Sequence, residues 1–199
     1  MTVNLVKKFK DEKTLDQLKN KDRQAFIAVY DAYVKDIHRF VYFKIGRREE
    51  ANDLTSMIFL KTWNFIQAGS LESSKTLRAL LYKIARNAIV DYYRENGLKI
   101  EASLDDEEHP IEIVDEGQDL AKNIENKANL ELINRQLPFL KDEYREVIVL
   151  KFVNDLELSE IAEITGKSKG NVRVLLHRAL NALRELVEEE EKKKVKNNE

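Results

Sequence analysis

The sequence contains no cysteine, which rules out a disulfide framework and any thiolate metal site and suits a reducing cytoplasm. Its 199 residues include only six glycines and two prolines. So few chain breakers argue against a β-sandwich, whose short strands need many turns, and favour helices. No apolar run approaches the roughly 18 residues that a membrane span requires. Met1 to Lys13 carries Lys7, Lys8, Lys10 and Lys13 with no long apolar run behind them, so neither secretion nor membrane insertion is expected. Catalytic groupings are missing too. His38, His109 and His177 are scattered, and neither a glycine-rich phosphate loop nor a serine nucleophile elbow is present. An enzyme is not expected, nor is a metal or cofactor. What is there is 43% apolar and 35% charged, with a net charge of −2, the balance of a folded helical protein.

Helical periodicity organises the first half of the chain. Ala25, Phe26, Val29, Tyr30, Tyr33, Ile37, Phe40 and Val41 recur at three- and four-residue steps, as one buried helix face demands. Leu54, Ile58, Phe59, Thr62, Trp63 and Ile66 form a second such set, and Leu77, Leu80, Leu81, Ile84 and Ala88 a third. Gly46-Arg47-Arg48 and Ala68-Gly69-Ser70 separate them and read as turns. The pattern predicts a compact helical domain over residues 1–96.

Composition then shifts. Between Glu101 and Asp119 stand nine acids and neither Lys nor Arg, with His109-Pro110 and Gly117 breaking any helix. Residues 97–127 are read as an acidic flexible linker. Helical pattern resumes near Ala128, where Leu130, Ile133, Leu137 and Leu140 lead to Tyr144, Val147, Ile148 and Leu150, suggesting two helices bent at Pro138. This second domain is placed at 128–187, with a charged tail at 188–199. The expected fold is all-α, two small helical domains joined by the linker.

The most informative stretch is Ser159 to Ala179, SEIAEITGKSKGNVRVLLHRA. It has the order of a helix-turn-helix without a wing. Ala162 is small where the helices touch, Gly166 can take the left-handed conformation that ends the first helix, and Val172 is a branched plug after the turn. Ser168 can cap the second helix by accepting from its free N–H groups. At 100° per residue, Leu176, Ala179, Leu180, Leu183, Leu186 and Val187 fall within about 80° of Val172. Asn171, Arg173, Val174, His177, Arg178, Asn181 and Arg184 fall on the other side. From Lys167 to Arg184 there are five basic residues, Lys169 among them, and no acid. A basic, acid-free outer face suits a reader of the major groove, with Arg to guanine and Asn to adenine or phosphate.

A second basic helix lies in the first domain. Lys75, Arg78, Lys83, Arg86 and Arg94 oppose one acid, Asp91, between Lys75 and Arg94. Ala79, Lys83, Arg86, Val90 and Arg94 share a stripe, and Tyr82 and Tyr93 are expected to flank it. Cations beside aromatic rings suit single-stranded or melted DNA, where phosphates meet charge and bases stack. A linker of about 25 residues spans up to about 80 Å when extended, enough to put the two basic helices on separate DNA elements.

Together these pieces resemble the extracytoplasmic-function (ECF) group of bacterial RNA polymerase sigma factors, over roughly Ala25 to Arg94 and Leu137 to Leu186. The resemblance implies the following roles. ANDLTSMIFLKTW (Ala51 to Trp63) is similar to the helix that grips the clamp of the polymerase β′ subunit, which points to Asp53, Leu54, Phe59, Lys61 and Trp63. LRALLYKIARNAIVDYYR (Leu77 to Arg94) is similar to the helix that meets the minus-ten element. The loop before it, Gln67 to Lys75, captures a flipped base in that family. This points to Gly69, Ser70, Ser74, Lys75, Arg78, Lys83, Arg86, Asn87 and Arg94. LSEIAEITGKSKGNVRVLLHRALNALREL resembles the helix-turn-helix that reads the minus-thirty-five element, through Lys167, Lys169, Asn171, Arg173, Val174, His177 and Arg178. The implied partners are core RNA polymerase, through its β′ clamp and β flap, promoter DNA and an anti-sigma factor.

The sequence departs from the family pattern at a few positions. Ser56 and Met57 stand where Gln-Glu is frequent, Leu80 where Trp is frequent, and Val174-Leu175 where Ser-Arg is common on the recognition helix. The last pair bears on promoter sequence rather than on DNA binding itself. Two other readings fit parts of the pattern: a free-standing helix-turn-helix regulator, and an interaction module that binds polymerase without reading DNA. The Asp53-Leu54…Phe59…Trp63 helix beside a basic helix separates them, since a regulator has no use for a clamp contact and a sequestering module needs no basic recognition helix.

Overall fold

A computed structural model describes residues 16–69, 77–97 and 135–196. All regular structure among the described residues is helical, with no strand. The chain divides near Lys99 into two compact units, with Glu163–Thr165 grouped with the first.

Unit 1 is built on three helices that all pack against one another. α1 spans Arg23–Ile45. Asp22 starts it, its carboxylate accepting from the backbone N–H groups of Gln24 at 2.8 Å and Ala25 at 3.4 Å, so two otherwise orphaned donors are satisfied. Gly46 ends it at φ 73°, and its N–H reaches back to the Tyr42 carbonyl at 2.8 Å. α2 follows at Arg48–Gln67, with Glu49 and Glu50 in its first turn, where the helix dipole favours anions. α3 spans Leu77–Glu95, and Asn96 closes it by donating to the Tyr92 carbonyl at 2.8 Å. The core of unit 1 comprises Ile37, Phe40 and Val41 of α1, Ile58 and Ile66 of α2, and Leu77, Leu81 and Tyr82 of α3, each at most 1% exposed. Leu18, in a helical turn at 16–19, is also fully buried. Thr55 and Thr62 join this core because each hydroxyl donates to the carbonyl four residues back, at 2.6 and 2.7 Å.

Unit 2 begins with a 3-10 turn, Leu137–Phe139. The Arg145 guanidinium donates to the carbonyls of Leu137, Pro138 and Leu140 at 2.9, 2.8 and 3.2 Å. The bend expected at Pro138 is this clamped turn; residues 128–134 lie outside the described residues. α4 spans Asp142–Ile148 and runs into one π-helical turn, Val149–Val153. Asp155 then takes a left-handed φ of 51°, redirecting the chain into α5, Leu158–Thr165. α6, Lys169–Lys196, packs against α4. The residues read as a tail from 188 continue this helix through Lys196, and Glu190 accepts a hydrogen bond from the Gln136 side chain. The acidic linker lies outside the described residues. No described helix is long and apolar enough to cross a membrane.

Candidate nucleic-acid interface

The helix-turn-helix of unit 2 is assembled by local chemistry. Glu157 and Glu160 form a capping box at the start of α5, the Glu160 carboxylate accepting from the Glu157 N–H at 2.8 Å. Gly166 ends α5 at φ 73°. An added Cβ there meets no atom within 4 Å, so conformation rather than space selects glycine. Two residues on, the Ser168 hydroxyl accepts from the Asn171 N–H at 3.1 Å and starts α6. This junction sets the rotation of α6. Val172, Ala179 and Leu183 turn inward at 1% exposure or less. Lys169, Asn171 and Arg173 emerge exposed, with Lys167, Val174, His177 and Arg178 half-buried beside them.

The two departures on this helix separate. Leu175 is buried and belongs to the packing between the helices, whereas Val174 is half-buried on the outer side. Only Val174 can touch a ligand. Leu176, expected inside, is half-buried, and Ala162 is likewise only half-buried where the helices approach.

On α3 the structure thins the expected basic face. Arg94 and Asn87 are exposed and Lys83 and Arg86 half-buried. Arg78, expected on the DNA-facing side, is 8% exposed, and Ala79 beside it is 1% exposed. Tyr82, expected to flank the basic stripe, also lies inside. Its ring is fully buried, edge-on to Phe40 with centroids 5.4 Å apart, and is unavailable for base stacking. Tyr93 is half-exposed, with its hydroxyl donating to the Lys44 carbonyl at 2.5 Å. Gly69 is exposed just past α2, at φ 76°. Ser70, Ser74 and Lys75 lie outside the described residues.

The α2 helix sorts its residues in the same way. Leu54 and Phe59, two of the expected clamp residues, are 5% and 3% exposed and lie in the core of unit 1. Phe59 meets the Tyr30 ring edge-on at 4.8 Å. Trp63 is half-buried against Phe26, centroids 4.8 Å apart. The stripe that α2 presents to solvent is Asn52, Asp53, Ser56, Met57, Leu60, Lys61 and Asn64. Met57 and Leu60, at 48% and 59% exposure, are its apolar members. Sequence reading noted Met57 only as a departure and did not single out Leu60. The signal for both was there in their offset from the buried Leu54-Ile58 row.

Where α2 begins, the Arg47 guanidinium lies 2.8 Å from the Glu50 carboxylate. Its hydrogen bond holds the Glu50 carboxyl below the ordinary carboxylate range. Burial raises the Tyr92 phenol, helped by the neighbouring Glu50. These groups join the end of α3 to the start of α2. Among the described residues no group of His, Asp or Glu is placed to hold a metal ion.

Comparison with known proteins agrees with this geometry. Residues 29–98 match the family described as Sigma-70 region 2, and residues 130–183 match Sigma-70, region 4. The chain is 31% identical over 180 residues to the ECF RNA polymerase sigma factor SigW of Bacillus subtilis, covering 87% of this chain and 94% of SigW. It is 27% identical over 167 residues to BldN of Streptomyces coelicolor, covering 83% of this chain but 61% of that longer protein. Two solved structures share the fold. CnrH, in complex with the cytosolic domain of CnrY, matches with a TM-score of 0.64 at 21% identity, over 90% of this chain and 97% of that one. RpoE of Bartonella quintana, in complex with the anti-sigma factor NepR, matches with a TM-score of 0.60 at 22% identity, over 82% and 96%. The chain therefore belongs to the extracytoplasmic-function sigma factors, non-enzymatic initiation factors that direct core RNA polymerase to promoters.

Proposed function

We propose that this sigma factor binds the β′ clamp through the exposed stripe of α2, meets the minus-ten element with α3, and reads the minus-thirty-five element with the first turns of α6. In unit 1 the clamp contact comprises Asp53, Ser56, Met57 and Leu60, with Trp63 at its edge. Two exposed apolar side chains among polar neighbours suit a protein-protein patch. Lys83, Arg86, Asn87 and Arg94 form the minus-ten face, with Gly69 as a further contact. In unit 2, Lys167 and Lys169 engage phosphates while Asn171, Arg173, Val174, His177 and Arg178 approach base edges. The β flap is the proposed polymerase partner of unit 2. An anti-sigma factor is a further proposed partner: RpoE, a protein of this fold, was solved with the anti-sigma factor NepR, and Ile27 and Tyr30 of α1 add exposed apolar surface to unit 1. These partners put its action in the bacterial cytoplasm.

The observation that carries the reading is the Gly166–Ser168 junction, which buries Val172 and turns Asn171 and Arg173 outward on the first turn of α6. The test is promoter selection by reconstituted holoenzyme from a library randomised upstream. A bidentate Arg173–guanine contact predicts that Arg173→Ala costs about 1–3 kcal/mol and relaxes preference at a single position. Val174 against a thymine methyl predicts that Val174→Ser lowers thymine preference at one position. Identical selected sequences from wild type and both variants would remove α6 as the reading element.

A further inference from the structure

The surface of α3 is less cationic than its sequence suggests. With Arg78 buried, the outer cations are Lys83, Arg86 and Arg94, and the acids Asp91 and Glu95 share the same end of the helix. At 100° per residue, Asp91 stands about 80° from Lys83 and about 60° from Arg94, on one flank of the stripe. Residues three apart on a helix lie about 5–6 Å from each other at Cβ. Asp91 and Arg94 are thus inside the screening length of about 8 Å at physiological salt. An uncompensated carboxylate there repels the phosphate backbone that the stripe attracts.

The compensation comes from α2. Lys61 Nζ lies 3.2 Å from Asp91 Oδ2, and both side chains remain nearly half exposed. An exposed pair of this kind adds little to stability. Its larger effect is on the field that an approaching polyanion meets. Lys61 also stands about 80° around α2 from Asp53, and its ammonium is drawn across the seam to α3.

We infer that Lys61 serves promoter binding rather than polymerase binding: by neutralising Asp91 it removes a repulsive flank from the minus-ten face and extends that face onto α2. The inference rests on the proposed role of α3. Its place in the reaction is the contact with the DNA backbone during docking and opening, where net charge along the stripe sets affinity and salt dependence.

The experiment uses reconstituted holoenzyme and a fluorescent promoter duplex recovered in the selection above. Promoter affinity is measured over a salt series for wild type, Lys61→Met, Asp91→Asn and the double variant, alongside core-polymerase affinity of each labelled sigma. Lys61→Met should weaken promoter binding about three- to tenfold and flatten the log–log salt slope by up to about 0.9. Asp91→Asn alone should bind at least as tightly as wild type, and adding it to Lys61→Met should recover most of the loss. Core affinity should coincide for all of them. Weakened core binding by Lys61→Met, or a loss that Asp91→Asn does not rescue, overturns the inference. Lys83→Ala and Arg86→Ala are measured in parallel. If neither changes promoter binding, the role of α3 falls and this inference with it; if they do and the Lys61 and Asp91 variants do not, the inference alone falls.

Discussion

Truncating Phe59 and truncating its neighbours Met57 and Leu60 should have opposite consequences. All three lie on one turn of α2, yet Phe59 is 3% exposed against 48% and 59% for the other two. Removing a buried phenylalanine costs about 3–5 kcal/mol, a large share of the roughly 5–15 kcal/mol that holds a domain folded. Each kcal/mol lowers the melting temperature of a domain of this size by about 4–8 °C. Phe59→Ala should therefore melt unit 1 upward of roughly 12 °C earlier. Met57→Ala and Leu60→Ala remove side chains already in water, and such changes stay within about 0.5 kcal/mol. Trp63 supplies the assay. It is the sole tryptophan of the chain and packs on Phe26 inside unit 1, so its fluorescence follows that unit whatever unit 2 does. Core-polymerase binding should rank the variants the other way. Full burial of a Met or Leu side chain at an interface is worth about 1.5–3 kcal/mol, roughly a tenfold to 150-fold loss of affinity on truncation. Two results would refute the reasoning: a melting temperature for Phe59→Ala equal to wild type, or equal destabilisation by Met57→Ala and Leu60→Ala.

Gly166→Ala should destabilise unit 2 by about 1–2 kcal/mol, since φ 73° strains an L-residue even with open space around the new Cβ. Calorimetry should show its transition lowered while the Trp63 transition of unit 1 holds, and Gly166→Asn should lose less because Asn tolerates that conformation. Glu50 bears on pH. Its folded-state carboxyl titrates below the ordinary value because of Arg47, so its contribution is present above the ordinary carboxylate range and is lost as pH falls through the folded value. Glu50→Gln should accordingly differ from wild type at neutral pH and converge with it as pH falls through the lowered folded value, as followed by Trp63 fluorescence. A constant offset down to the acid limit would contradict that assignment.

The helix-turn-helix was legible because its signals are local. Gly166, Ser168 and Val172 act within a turn of one another, and the sequence carries everything needed to place Arg173 outward and Val172 inward. The same holds for the end of α1, where Gly46 bonds back to Tyr42. Periodicity likewise located the three helices of unit 1, since a buried face must repeat at 3.6 residues wherever it packs.

What the sequence could not carry is how wide each buried face is. A helix in a three-helix unit is covered from two sides, so the arc taken from solvent depends on its neighbours. Arg78 and Tyr82 lie inside although a wheel puts charge and hydroxyl outside. The π turn at Val149–Val153 left no mark in the pattern either, because one extra residue in a turn shifts register without changing composition. Arg145 shows the same limit: only the fold brings its guanidinium to three carbonyls of a preceding turn. Lys61 and Asp91 are 30 residues apart in the chain, and no periodicity links them. Sequence alone determined the three helical segments of unit 1 and the turn of the helix-turn-helix, since those choices are made by groups within a few residues. Tertiary structure decided which charges meet across helices and which, like Arg78, are buried, because pairing and burial there depend on distances that the chain sets only once it has folded.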